Sequence, residues 1–182
     1  MNVPDFRRPA SRRHALRQIA RLSLAIPTAA ALAACGFQLR RAPELRFSTI
    51  QLAGFAPGSN LAALLRIQIA STTTTRVVEA ATQAQVVLRA LSDASERVVV
   101  ASTAAGQVRE IQLRSRFIFT LRTVDDIELI PRTELLLRRD LSYSEEAVLG
   151  KEQEEALLFR AMQSDIADQI TRRLAAVRLP QP

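Results

Sequence analysis

Residues 107–122 read QVREIQLRSRFIFTLR, and this stretch decides the fold more than any other part of the chain. Large apolar residues occupy one parity of the stretch, and mostly arginines occupy the other. Such alternation predicts a long β-strand in a sheet that has one buried face and one wet face. The apolar set is Leu113, Phe117, Phe119 and Leu121, and the polar set is Arg114, Arg116, Thr120 and Arg122.

The sequence on both sides of this strand predicts more of the same sheet. A turn at Ala104-Ala105-Gly106 joins it to the preceding strand in a long hairpin, and Asp125-Asp126 turns the chain after it. The next strand again alternates, with leucines at one parity and charged residues at the other. The predicted strands cover residues 45–52, 85–91, 97–103, 107–122 and 128–139, with a short extended piece at Val77-Val78.

Two helices accompany these strands. Ser59-Asn60 can cap the first helix, and the threonine run 72–75 ends it because threonine is a poor helix former. The second covers residues 144–177, with a possible break near Gly150 and an apolar stripe for packing on the sheet. The stripe consists of Phe159, Met162, Ile166, Ile170, Leu174 and Val177. We therefore expect an α+β two-layer sandwich: a mostly antiparallel or mixed sheet of about four strands with two helices on one face.

Charge separates the N-terminal segment from the rest of the chain. The 182 residues carry a formal charge of +7, but residues 1–34 hold six arginines and one aspartate, a balance of +5. Residues 35–182 have a balance of only +2. The basic excess therefore gives no support to a nucleic-acid partner for the predicted domain.

The N-terminal segment has the layout of an export signal. An apolar run from Leu22 to Ala34 follows the basic region, and it is shorter than the roughly 20 residues of a membrane span. It ends in Leu32-Ala33-Ala34-Cys35, which is similar to a bacterial lipobox. We expect a removed signal peptide at 1–34, a lipidated tether at 35–44 and a single domain at 45–182.

The resemblance to bacterial lipoproteins implies acyl chains, such as palmitate, on Cys35 as a permanent membrane anchor. Gly36 after the cysteine implies sorting to the outer membrane. A plain signal peptide followed by an incidental cysteine is the alternative. Residues 11–17 partly match a twin-arginine motif, so the export route stays open between the two bacterial systems.

Few residue types for catalysis remain after cleavage. His14, the only histidine, lies in the predicted signal, so the predicted mature chain has no His-dependent triad or zinc site. No glycine-rich phosphate loop occurs. The carboxylate pairs Asp125-Asp126 and Glu145-Glu146 fit a turn and a helix start better than a glycosidase site. We expect no enzyme, no metal and no cofactor besides the lipid on Cys35.

Two stretches resemble the LptE family of lipopolysaccharide-assembly lipoproteins: CGFQLR at 35–40 and RRDLSYSEEAVLGKEQEEALLFRAMQSDIADQITRRL at 138–174. The start departs from the family at Arg41, where most members have glycine. The resemblance implies a plug inside the LptD β-barrel that also assists the folding of that barrel. Together the two proteins would form the outer-membrane translocon that delivers lipopolysaccharide to the cell surface. This implies a lipid-anchored protein that reaches from the periplasmic side into the barrel lumen.

Lipopolysaccharide carries phosphates, which arginine and lysine bind well. Arginines on the predicted wet face are therefore candidate contacts. The alternatives are a solvated face with weak ion pairs, or a face that meets the barrel wall. The resemblance adds Lys151 at the start of the last helix, and Arg109 in place of a basic hairpin tip. The candidate set is Arg109, Arg114, Arg116, Arg122, Arg132 and Lys151. Another outer-membrane scaffold or barrel-assembly subunit, or a periplasmic enzyme using carboxylates, is the alternative function.

Overall fold

A computed structural model of the chain describes residues 44–72, 74–143 and 148–180. The predicted signal peptide and Cys35 lie outside these residues, so the predicted division into signal, tether and domain stays a prediction. Among the described residues, no helix is both long enough and apolar enough to cross a membrane.

The strands form one mixed sheet of five members in the order β2-β1-β3-β4-β5. β1 runs parallel to both β2 and β3, whereas β3, β4 and β5 form an antiparallel meander. The α+β class is confirmed, and the short piece at Val77-Val78 enlarges the sheet as its outermost strand. The strands are β1 (Thr49–Ala53), β2 (Arg76–Val78), β3 (Val86–Ser102), β4 (Val108–Thr123) and β5 (Glu128–Ser142).

β3 is one strand of 17 residues, although the sequence predicts two. The polar stretch 92–96 suggests an interruption, but its backbone continues to pair with β4, for example Ser95 with Ser115. Only a register shift between Ala90 and Ser92 marks the place, as a β-bulge does. Polar residues are tolerated there because this part of β3 is mostly exposed.

A second register irregularity lies in β5. Phe119 pairs with Thr133 and Leu121 pairs with Ile130, so β5 contains one extra residue around Pro131. Proline has no N–H to donate and is accepted at such a bulge. The bulge changes the parity of β5, so that Ile130, not Leu129, is the buried residue there at 9% exposure. Counting alternate residues along the sequence through Pro131 would instead place Leu129 on the buried side.

Helix α1 (Asn60–Ala70) begins as the sequence predicts. The Ser59 Oγ accepts a hydrogen bond from the Ala62 N–H at 3.2 Å, which caps the first turn. The same hydroxyl donates to the Asp93 carboxylate at 3.0 Å and so joins the helix start to β3. At the other end of the helix, the Thr72 hydroxyl donates to the Ile69 carbonyl. Thr72 belongs to the threonine run that was predicted to end the helix.

Helix α2 (Val148–Ala176) has 29 residues, a length of about 44 Å. It continues through Gly150, and residues 144–147 of the predicted short part before that glycine lie outside the described residues. A Cβ at Gly150 would have no atom within 4 Å, so the residue is in open space. A single glycine costs about 1 kcal/mol in a helix, which the buried stripe can offset. Buried residues of the stripe are Met162, Ile166, Ile170, Leu174 and, just beyond the helix, Val177.

The core divides into two clusters along the sheet. The large cluster packs α1 and the second half of α2 on the sheet around Phe117 and Phe119, whose ring centroids lie 5.6 Å apart. The small cluster joins Ile111, Leu113 and Met162. We call the first region the body, and the second the arm. The arm comprises residues 93–116 and 136–142 with the first half of α2.

Candidate functional site

The face of the sheet opposite the helices, which we call the open face, carries the predicted basic residues of β4. From Ile111 to Leu121, alternate residues of β4, including Phe117, are buried on the helix side, so the residues between them project to the other side. The strand register places Arg114 opposite Arg138 of β5 and Glu96 of β3. The predicted alternation of this strand is therefore confirmed, and it brings Arg114, Arg116 and Arg122 onto one face.

Arg116 is held by an acid on the neighbouring strand. Its Nε and Nη2 donate to the two carboxylate oxygens of Glu134 at 2.8 and 3.3 Å, a fork-to-fork geometry. The hydrogen bond from Arg116 and the nearby positive charge of Arg132 lower the pKa of Glu134. In turn, the hydrogen bond and charge of Glu134 raise the pKa of Arg116. Much of the binding capacity of this guanidinium is therefore already occupied.

Arg122 is held in a similar way at the far end of β4. Its guanidinium donates to Asp126 at 2.8 Å and to Glu128 at 3.3 Å. The hydrogen bond with Asp126 is the main cause of the raised pKa of Arg122. The interaction joins β4 to the turn that follows it, so the Arg122 side chain stabilises the local structure.

Arg114 differs from both. Its Nε donates to the Gln112 side-chain oxygen at 2.8 Å, and the Gln112 amide donates to Asp140 at 2.9 Å. Among the described residues, no carboxylate lies within 4.0 Å of the Arg114 or Arg138 guanidinium, although Glu96 is opposite Arg114 in register. Two like charges directly opposite each other are unfavourable in a sheet. An anion between Arg114 and Arg138 would relieve that repulsion.

The other three predicted contacts do not join this group. Arg132 lies at the β5 bulge, exposed and close enough to Glu134 to lower its pKa. Arg109 is exposed at the irregular start of β4, where Ala101 pairs with Glu110 and Ser102 pairs with Val108. Lys151 lies in the first turns of α2, where its Nζ binds Glu154 at 2.8 Å. The structure therefore does not bring the six predicted residues together into one group.

Arg89 is an open-face arginine outside the predicted candidate set. It is exposed and pairs in register with Thr120 of β4. With Gln51 and Arg122 it lines a cavity of about 490 Å³. The alternation of buried Val86, Leu88 and Ala90 around it is the signal that could have found it.

Two further arginines lie on the helix side and hold the arm to α2. Arg97 approaches Glu155 at 3.5 Å and lies over the Tyr143 ring, 5.4 Å from the ring centroid. Arg139 approaches Asp165 at 3.3 Å. These contacts join strands to a helix that is distant in the sequence, so no local sequence pattern predicts them.

The predicted carboxylate candidates have structural surroundings where they are described. Asp125 and Asp126 form the β4–β5 turn, with Asp126 at φ 64°. Glu145 and Glu146 lie outside the described residues. Within 44–143 and 148–180, leaving out Thr73, no cluster of three or more metal-ligating side chains occurs.

Comparison with known proteins gives a family match over most of this fold. A family model described as "LptE: Lipopolysaccharide-assembly" matches residues 47–174, which include all five strands and nearly all of α2. No curated protein matches the chain significantly.

Solved structures of three bacterial lipoproteins are similar to this chain. An uncharacterized lipoprotein B from Nitrosomonas europaea is 28% identical, with a TM-score of 0.66, covering 77% of this chain and 90% of its own. The rare lipoprotein B from Shewanella oneidensis is 24% identical, with a TM-score of 0.60 and coverages of 71% and 95%. A minor lipoprotein from Acinetobacter baumannii is 23% identical, with a TM-score of 0.60 and coverages of 76% and 99%. The last two support the fold alone.

Proposed function

The chain belongs to the LptE family of lipopolysaccharide-assembly proteins, and from this premise we propose that it is the lipoprotein plug of an LptD β-barrel. In this role it assists the assembly of the barrel and forms with it the outer-membrane translocon for lipopolysaccharide. The role is one of binding and assembly, without catalysis. The observation that carries the proposal is the family match across residues 47–174, which takes in the sheet and both helices.

The surface of the domain supports a position inside a barrel lumen. Lumens of outer-membrane barrels are polar, so a plug needs a charged and hydrogen-bonding surface. The open face provides one, with the Arg116–Glu134 and Arg122–Glu128 pairs and the Asp140–Gln112–Arg114 chain of hydrogen bonds. Such side chains can contact the polar inner wall of a barrel.

The anchor is Cys35, with acyl chains attached to its sulfur and to its amine. The basic segment, the apolar run and the lipobox-like residues 32–35 support this assignment. The name lipoprotein on the similar solved structures agrees with it. Several acyl chains, at about 0.8 kcal/mol per buried CH₂, hold a protein to the outer membrane without a membrane-spanning helix.

Within this function, Arg114 and Arg138 are the proposed contacts for lipopolysaccharide phosphate. The two residues are opposite each other in the register of β4 and β5, and neither has a described ion-pair partner, unlike Arg116 and Arg122. An R114Q variant is expected to weaken binding of purified lipopolysaccharide by about tenfold, the effect of losing one charge-assisted hydrogen-bonding group. R116Q is the matched control on the same strand and face, with an expected change of less than about threefold. Equal losses in the two variants would contradict the assignment.

A pull-down from detergent-solubilised outer membrane tests the proposed function. The full chain, tagged at its C-terminus, is expected to recover one large barrel, LptD, in equal molar amount. Depletion of the protein is expected to reduce surface lipopolysaccharide. Recovery of a different barrel, or of no barrel, would contradict the plug and favour another outer-membrane scaffold or barrel-assembly subunit.

A further inference from the structure

The end of the domain where the described chain begins carries an exposed apolar group. Val124 and Ile127 in the β4–β5 turn are 52% and 48% exposed. Leu179 and Pro180, just beyond α2, line the same shallow cavity of about 410 Å³. We call these four residues the end patch.

The turn that bears the end patch is held in one conformation. The Thr123 N–H donates to the Ile127 carbonyl at 2.9 Å, and the Asp126 N–H donates to the Thr123 carbonyl at 3.1 Å. The Ile127 N–H also donates to the Thr123 hydroxyl at 3.1 Å. Because these hydrogen bonds hold the backbone of the turn, docking of the two side chains needs little further ordering of the backbone.

The start of the described chain lies at this same end. The Ser48 N–H donates to the Gln85 side chain at 2.7 Å, and the Val124 N–H donates to the Gln85 carbonyl at 3.3 Å. Two hydrogen bonds through one glutamine therefore connect the incoming segment with the turn. On the other side of that segment, the Thr75 hydroxyl donates to the Phe47 carbonyl at 2.6 Å.

The distance from the anchor to this end is limited by the chain. Nine peptide steps join Cys35 to Glu44, which is at most about 30 Å of fully extended chain. The arm lies at the opposite end of strands of 15 to 17 residues. In an anchored domain, the end patch therefore stays within reach of the anchor, whereas the tether sets no such limit for the arm.

We infer that the end patch docks on the phospholipid surface that holds the anchor, at times when no barrel encloses the domain. The inference rests on the proposed lipidation of Cys35. Exposed Arg46, Arg76 and Arg178 surround this end and attract anionic headgroups. The exposed acids at the turn are Asp125, Asp126 and Glu128, and the last two are paired with Arg122. The apolar contact is small, but the tether raises its effective concentration, so a weak contact suffices.

The chain contains no tryptophan, so single-tryptophan variants report on chosen positions. V124W and I127W place the probe in the end patch. V99W places it in the arm, at a site of nearly equal exposure, 50%. Each full-length lipidated variant is reconstituted into vesicles of phosphatidylethanolamine with a minor share of phosphatidylglycerol, with or without bromine on the acyl chains.

Bromine in the acyl chains is expected to reduce the emission of V124W and I127W by about half, with little change for V99W. Unquenched emission from both end-patch variants, or equal quenching of V99W, would overturn the inference. Vesicle flotation of the same samples tests the anchor separately, with C35A as the control. Loss of flotation in the unsubstituted protein would contradict the proposed anchor, whereas flotation without quenching would contradict only the docking.

Discussion

The body and the arm share the strands β3, β4 and β5 but are stabilised differently. In the body, two helices cover the sheet, and large aromatic rings stack from Phe55 through Phe117 to Phe119. In the arm, one helix covers the sheet, the cluster is small, and the ion pairs of Arg97 and Arg139 join helix and strands. Two helices cover the sheet in the body and only one covers it in the arm. One end of the same sheet is therefore packed more extensively than the other.

The sharpest test compares two leucines of β4 that share a face and are both fully buried, Leu121 in the body and Leu113 in the arm. L121A is expected to reduce the free energy of unfolding by about 3–5 kcal/mol, and L113A by about 2–3 kcal/mol, because the arm can relax around the cavity. Urea unfolding measures both values. Amide hydrogen exchange is expected to rise only in the arm for L113A. Equal losses would show that the arm is packed as firmly as the body.

Two glycines in the body have nearly equal φ but different amounts of space for a side chain. Comparing their substitutions separates the cost of backbone strain from the cost of a steric clash. At Gly54, φ is 77° and an added Cβ would lie 2.3 Å from the Ala90 carbonyl oxygen of β3. At Gly58, φ is 76° and no atom lies within 4 Å of that position. G54A is expected to cost about 3 kcal/mol and G58A about 1 kcal/mol. Similar values by thermal unfolding would mean that β1 and β3 can move apart easily.

Arg97 tests what holds the arm to α2. R97M keeps much of the apolar stem but removes the contacts with Glu155 and the Tyr143 ring, with an expected cost of about 1 kcal/mol. R66M is the matched control in the body, because Arg66 meets Glu79 only at 3.8 Å and both side chains are well exposed. Its expected change is within about 0.5 kcal/mol. A larger loss for R66M in urea unfolding would contradict this view of the arm.

The smallest expected effect concerns pH and the open face. Because Arg116 lowers the pKa of Glu134 below its ordinary 4.5, this interaction stabilises the fold above that value. Its contribution is lost as the pH falls through the lower pKa of the folded state. The R116M variant is therefore expected to lose less stability on acidification than the unsubstituted protein. An NMR titration of the Glu134 carboxyl that gave a value at or above 4.5 would contradict the interaction.

The sequence predicted the fold well wherever the pattern was local. The alternation in 107–122 and the Ser59 cap are decided by neighbouring residues, and both were confirmed. The continuity of β3 and the parity change at Pro131 depend on the partner strands, which a single sequence does not show. For this reason the predicted interruption at 92–96 was wrong.

For the candidate site, the sequence predicted which face of the sheet carries the arginines, but not which partner each arginine binds. Parity indicates which arginines project from the open side, but partner choice depends on the register between strands. Glu134 binds Arg116 diagonally across the sheet, while Arg138 falls opposite Arg114. No spacing within one strand distinguishes an arginine with an acidic partner from one without, so the assignment to phosphate stays a prediction.

The position of α2 in the chain has a consequence for biosynthesis. The helix supplies Ile166, Ile170 and Leu174 to the main core, and these residues are synthesised only after β3, β4 and β5. A ribosome adds residues in order, so the hairpins of β3, β4 and β5 are complete while the apolar side of the sheet is still bare. A product that stops before residue 166 would present Phe117 and Phe119 to solvent, which makes it a substrate for proteases and chaperones. The apolar side of the sheet is thus fully covered only after the second half of α2 has been synthesised.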